Sequence, residues 1–171
     1  GHSMSGKVVQ LLAATATHRL KSAIALTPTP PVMLSLDEGT WDLLQKCEHS
    51  RDSRGVALAA ATGSQYSTSF ISRLAEMSLK ASRSDAYRAY LDAWAKTDIT
   101  HDLRESDFPL RIIVGAKDPF VPESAMHETV MKFFPKAALV VLENVGHYPL
   151  LEAPPLTVSL FESWFKSMAP G

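Results

Sequence analysis

The chain has little cysteine and no surplus charge. Cys47 is the single cysteine in 171 residues. That excludes an internal disulfide and fits a reducing compartment, so a cytoplasmic location is expected. Seventeen Lys and Arg stand against eighteen Asp and Glu, for a net charge of −1. The balance gives no electrostatic footprint for nucleic acid or an anionic membrane surface. No apolar run approaches the roughly 18 residues that cross a bilayer, and no signal peptide is visible. Metal-ligand spacing, a dinucleotide fingerprint and a phosphate-binding glycine loop are all missing, since Gly6-Lys7 alone is not a P-loop. Internal repeats and low-complexity segments are missing too. What is present is 46% hydrophobic and 20% charged residues, ordinary for one globular unit with a real core.

Along the chain, Met4 to about His18 reads as a helix, with Val8, Leu11 and Leu12 on its apolar face and Lys7, Gln10 and Arg19 at polar positions. Leu20 to Leu26 reads as a buried strand stopped by Thr27-Pro28-Thr29-Pro30-Pro31. From Ser35 to about Asp107 the pattern turns helical. Ser35 with Glu38 forms a capping box opening a helix through Cys47, with Trp41 and Leu44 inward. Arg54 to Ala61 is alanine-rich and ends near Gly63. Phe70, Leu74 and Met77 share helical spacing, as do Tyr87, Tyr90, Leu91 and Trp94. These aromatic stripes serve either helix packing or a pocket wall. Leu110 to Gly115 is a strand. Pro122 at an N1 position opens a helix through Phe134, with Met126, Val130 and Phe133 on one face. Ala138 to Leu142 is a strand, and Pro154-Pro155 open a last helix with Phe161, Trp164, Phe165 and Met168 on its face. Strands alternating with helices predict an α/β fold: a parallel sheet of about three strands with flanking helices and a helical insert. Residues 1–34 and 108–171 would form the core and residues 35–107 the insert.

Three residues stand just after strands or at the sharp start of a helix: Ser3, Asp118 and His147. A serine hydroxyl needs a base within hydrogen-bond reach to act as a nucleophile. Small neighbours in Gly1-His2-Ser3-Met4-Ser5-Gly6 allow a tight turn that exposes it and aims the Met4 N–H at a reacting carbonyl. The other reading of Gly-His-Ser-Met is a cloning remnant. Asp118 can hold a histidine tautomer, or merely cap the turn that Asp-Pro favours. The alternative acid position, after Leu26, holds Thr27 and prolines. His147 lies in a loop 29 residues beyond Asp118, room for one helix and one strand, which returns both loops to the same sheet edge. His18, His49, His101 and His127 read as solvated, and His2 as a residue that shapes the turn.

Three stretches carry a resemblance: Gly-His-Ser-Met-Ser-Gly-Lys-Val-Val-Gln, Ile-Ile-Val-Gly-Ala-Lys-Asp-Pro-Phe-Val-Pro and Val-Gly-His-Tyr-Pro-Leu-Leu-Glu-Ala-Pro. The chain resembles the C-terminal two-thirds of a capped α/β-hydrolase, in the group of cofactor-free esterases, non-haem haloperoxidases and C–C bond hydrolases. The resemblance implies Ser3 as nucleophile, Asp118 as acid, His147 as base, the Met4 amide as half of an oxyanion hole and the helical insert as a cap. It implies no cofactor and no metal. Trp41, Tyr87, Tyr90, Trp94 and Phe120 are candidates to contact a small apolar ester-like substrate. The chemistry expected is hydrolysis of a carboxylic ester or related acyl bond through an acyl-enzyme. A C–C bond hydrolase with the same triad and a non-catalytic binding protein are the alternatives. The segment preceding the elbow in this family has no counterpart in the 171 residues. Inactivity is therefore expected unless that segment is supplied, with an apolar sheet edge open to it or to self-association.

Overall fold

A computed structural model describes residues 1–167. Met168 lies outside the described residues. Three strands, β1 (Ala23–Leu26), β2 (Leu110–Gly115) and β3 (Ala138–Leu142), form one parallel sheet in the order β1-β2-β3. β2 and β3 match the runs read from sequence. β1 is shorter, because Leu20 closes the turn Thr17–Arg19 through its N–H to Thr17 O and Lys21 lies in a bend.

β2 is central, and its residues alternate between two cores. Leu110, Ile112 and Val114 face Ala13, Met126, Val130 and Phe134. Ile113 faces the other way, with Leu26 and Leu142, against Leu160, Phe161 and Trp164. Burial on both sides explains why β2 reads as a nearly continuous apolar run. The first layer comes from α1 (Ser5–Thr15), α6 (Glu123–Glu128) and α7 (Val130–Phe133), and the opposite layer from α9 (Pro154–Ser167).

The α1 face is the reverse of the expected one. Gly6, Lys7, Gln10 and Ala13 are buried, while Val8 and Leu12 are exposed. The reason is polar. Lys7 Nζ donates to the carbonyls of Val32, Trp94 and Thr97, and Gln10 Nε2 donates to Gly6 and Thr29 carbonyls. Hydrogen bonding satisfies the Lys7 ammonium and the Gln10 amide nitrogen, although Gln10 Oε1 has no partner among the described residues, so apolar periodicity does not decide the orientation.

Between β1 and β2 stand α2 (Glu38–Lys46), α3 (Arg51–Ala61), α4 (Thr68–Ala81) and α5 (Ser84–Lys96). Asp37, not Ser35, caps α2, accepting the Thr40 N–H at 2.9 Å, so Glu38 falls at N1 rather than N3. Trp41 and Leu44 are only half-buried. Ile71 and Ala75 form the buried stripe of α4, and Met77 faces solvent.

Pro122 is an N-cap rather than N1, and Thr129 (φ −128°, ψ −77°) divides the expected helix into α6 and α7. That break buries Phe134 in place of Phe133. A short α8 (Pro149–Glu152) precedes α9, whose packed face is Thr157, Leu160, Phe161 and Trp164, with Phe165 exposed. At the β1 edge, residues 1–3 run parallel alongside: His2 bridges Leu26, and Leu26 N–H donates to Gly1 O at 2.8 Å. The apolar edge expected to stand open is thus partly covered by the elbow itself.

Candidate active site

The site begins at the turn into α1. Ser3 has φ 52°, a left-handed conformation that a non-glycine residue adopts only when its surroundings fix it. Ser3 N–H donates to Leu26 O, and Ser3 O accepts from Gly6 and Thr29 N–H groups. The usual glycine two residues after the nucleophile is Ser5 here. Its hydroxyl donates to His2 O and accepts from His2 N–H, both at 2.8 Å, so the larger residue braces the turn. The close approach falls one residue later. A Cβ on Gly6 would lie 2.4 Å from Pro28 Cβ.

The turn aims Ser3 Oγ at His147, whose Nε2 lies 2.8 Å away. His147 Nδ1 lies 2.6 Å from Asp118 Oδ2. Asp118 and His147 are both buried. The other Asp118 oxygen accepts N–H groups of Phe120 and Val121, so this carboxylate both caps its turn and faces the histidine. With Nδ1–H donated to Asp118, Nε2 is free to accept the Ser3 proton. The Met4 N–H, at the start of α1, has no acceptor among the described residues. It stands where the partial positive charge of the helix terminus would favour a developing oxyanion.

The His147 loop is fixed by its peptide groups. His147 N–H donates to Ala61 O of α3 at 2.9 Å. Its carbonyl accepts from His2 Nε2 at 2.7 Å and Thr27 Oγ1 at 3.0 Å. The carboxylate of Glu152 takes the N–H groups on either side, Gly146 and Tyr148, each at 2.8 Å. Gly146 is required because a Cβ there would meet Ala61 O and Thr62 Cα at 2.6 Å. Tyr148 packs edge-on to the His147 ring, and burial pushes its phenol up to about 12. Burial also holds His2 below the usual imidazole range.

Of the aromatic candidates, Phe120 stands at the site, edge-on to His147 with centroids 6.2 Å apart and 46% exposed. The others are committed elsewhere. Tyr87 donates its hydroxyl to Leu44 O and lies under Arg54. Trp94 donates to Thr29 Oγ1, and Tyr90 is 61% exposed. Trp41 lines, with Tyr87, Glu48, Arg88 and Lys96, a cleft of about 170 Å³ between α2 and α5 that includes none of Ser3, Asp118 or His147. The contributions of His2, Thr27 and Glu152 were not foreseen as contacts. The one sequence signal was proximity, His2 beside Ser3 and Glu152 five residues after His147. His18, His49, His101 and His127 are exposed. Among the described residues there is no cluster of three metal-ligating side chains, and no helix is long and apolar enough to cross a membrane.

The fold recurs in known proteins. A non-heme chloroperoxidase of Kitasatospora aureofaciens is 27% identical over 161 residues, 85% of this chain and 58% of that protein. An esterase from Exiguobacterium antarcticum superposes with a TM-score of 0.79 at 16% identity, over 97% of this chain and 65% of its own. A bromoperoxidase from Bacillus anthracis does so with a TM-score of 0.78 at 18% identity, over 97% and 66%. The chain thus spans less than two-thirds of the length of each. The alpha/beta hydrolase fold family profile matches residues 1–154, and the chain belongs to that family.

Proposed function

We propose that the chain carries the nucleophile, base and acid of a serine hydrolase that cleaves carboxylic esters or related acyl bonds. The observation that carries this reading is the continuous relay Ser3 Oγ, His147 Nε2, His147 Nδ1, Asp118 Oδ2, at 2.8 and 2.6 Å. Ser3 Oγ attacks the carbonyl carbon as His147 Nε2 takes its proton, and Asp118 stabilises the imidazolium. The Met4 N–H supports the oxyanion. His147 then gives its proton to the departing alkoxide, leaving an acyl-Ser3. It next takes a proton from water, whose hydroxide attacks the acyl carbon; the bond to Ser3 Oγ then breaks, the carboxylic acid departs and His147 returns the proton to Oγ.

Exposed Phe120 beside His147 suits a small apolar acyl or alcohol group. The helices α2–α5 act as a cap, joined to the base through Ala61 and Gly146. No cofactor enters this chemistry. The relatives are longer than this chain, and a segment equivalent to their remainder would supply the rest of the oxyanion hole and pair at the β1 edge. Turnover by the 171 residues alone is therefore slow. The test is hydrolysis of a short-chain aryl ester by the chain, by a longer form that includes the complementary segment, and by Ser3→Ala of each. Hydrolysis by the longer form that is lost in Ser3→Ala supports the reading. An undiminished rate in Ser3→Ala refutes it.

A further inference from the structure

The nucleophile and the base are linked twice. The first link is the Ser3 Oγ–His147 Nε2 bond. The second runs from the residue beside the nucleophile, His2, whose Nε2 lies 2.7 Å from the His147 carbonyl oxygen. A carbonyl only accepts, so His2 Nε2 carries a proton and a neutral ring leaves Nδ1 without one. Thr27 Oγ1 donates to the same oxygen, so both of its lone pairs are engaged. The His2 ring stands 5.2 Å from the His147 ring and 5.5 Å from the Tyr148 ring.

We propose that His2 is a positioning residue, which ties the His147 peptide to the elbow as a neutral donor so that the proton leaving Ser3 settles on His147. This rests on the reading of Ser3 and His147 as nucleophile and base. The titratable groups facing His2 are His147, Tyr148, Asp118 and the Gly1 amino group. Burial is the largest influence and disfavours charge on His2. The bond to the His147 carbonyl opposes it, a charge on His147 adds to it, and Asp118 opposes it again. Two cationic rings about 5 Å apart, at an effective dielectric of about 20, disfavour one another on the order of 100-fold. The pair therefore takes up only one proton beyond those of its two neutral rings, the one that leaves Ser3, and Asp118 at 2.6 Å from Nδ1 places it on His147. A lysine or arginine in place of His2 would keep a donor but lose that neutrality.

The test is the rate of Ser3 phosphonylation by a fluorophosphonate, with the concentration dependence separating binding from the chemical step, in His2→Gln, His2→Ala and His2→Lys. His2→Ala should slow the chemical step by about tenfold or more with binding unchanged. His2→Gln, a neutral donor, should recover most of that loss, and His2→Lys should fall below His2→Gln. Wild-type rates in His2→Ala, or equal rates for Gln and Lys, overturn the proposal. Should His2→Ala fail to fold, the Gln–Lys comparison decides. The second readout is the proton NMR resonance of the His147 Nδ1–H shared with Asp118, expected to persist in His2→Gln and to broaden or vanish in His2→Ala. Absence of labelling in the wild type, both in the 171 residues and in the longer form that includes the complementary segment, would instead overturn Ser3 as nucleophile. The resonance would then decide on its own: unchanged in His2→Ala, it refutes the role of His2.

Discussion

Replacing Glu152 with alanine removes the two hydrogen bonds that bracket His147. Oε2 and Oε1 each accept a backbone N–H at 2.8 Å, from Gly146 and Tyr148. A hydrogen bond to a charged acceptor contributes about 1.5–3 kcal/mol. One side chain makes both, so its ordering is counted once, and Glu152 is only half-buried. A combined loss of about 3–4 kcal/mol follows. For a chain of this size each kcal/mol moves the melting temperature by about 2–4 °C, giving a fall of about 6–16 °C. Glu152→Gln keeps one accepting oxygen and turns an N–H donor toward the second amide, so it should lose at least half as much. Thermal unfolding followed by far-UV circular dichroism reads both. A Glu152→Ala protein melting within about 2 °C of wild type would refute the bracket as an energetic element. Ser3 labelling should fall with it, since the loop that carries the base loses two of its anchors.

Other substitutions probe the neighbouring contacts. Asp118→Asn should preserve the fold but favour the wrong His147 tautomer, slowing labelling of Ser3 by about 10⁴-fold; a loss under about tenfold would remove Asp118 from the relay. Gly146→Ala places a Cβ 2.6 Å from Ala61 O and Thr62 Cα, both backbone atoms. It should lower the melting temperature and slow labelling together, and a wild-type melt would show that α3 and the loop are not in contact. Alkaline pH should destabilise the chain through its half-buried phenols. Tyr148, raised by burial to about 12 against 10 for a free phenol, keeps its proton more tightly when folded. Stability is therefore fully present below about pH 10 and falls as pH rises toward 12, by up to roughly 2 kcal/mol. Tyr148→Phe should flatten the fall of the urea midpoint between about pH 9 and about pH 11.5, and an unchanged slope would assign it elsewhere.

How much of this was readable from the sequence depends on how local the cause is. β2 and β3 are legible at their full lengths because each is an apolar run, broken only by Arg111 in β2, with a hard boundary, Phe108-Pro109 before one and Pro135-Lys136 before the other. Ser3, Asp118 and His147 were singled out because each follows a strand position, and the parallel sheet brings those ends to one edge. The face of α1 is not legible in the sequence, because Lys7 and Gln10 find carbonyl partners up to 90 residues away, which no periodicity encodes. The aromatics of the insert were misleading for the same reason. Tyr87 and Trp94 share helical spacing with Tyr90, yet their polar ends are taken by Leu44 O and Thr29 Oγ1 while Tyr90 points to water. His2 and Glu152 were visible as neighbours of the key residues, but their bonds to the His147 peptide require the folded chain.

The most direct test of the central claim is intact-mass analysis of the purified chain after treatment with a fluorophosphonate probe. Phosphonylation uses Ser3, His147 and Asp118 once and needs no turnover. A single adduct is expected at Ser3, slow to form in the 171 residues alone and faster in the longer form, absent in Ser3→Ala and suppressed in His147→Ala. Labelling at another residue, or at Ser3 with equal speed in His147→Ala, would contradict the relay as the source of the reactivity.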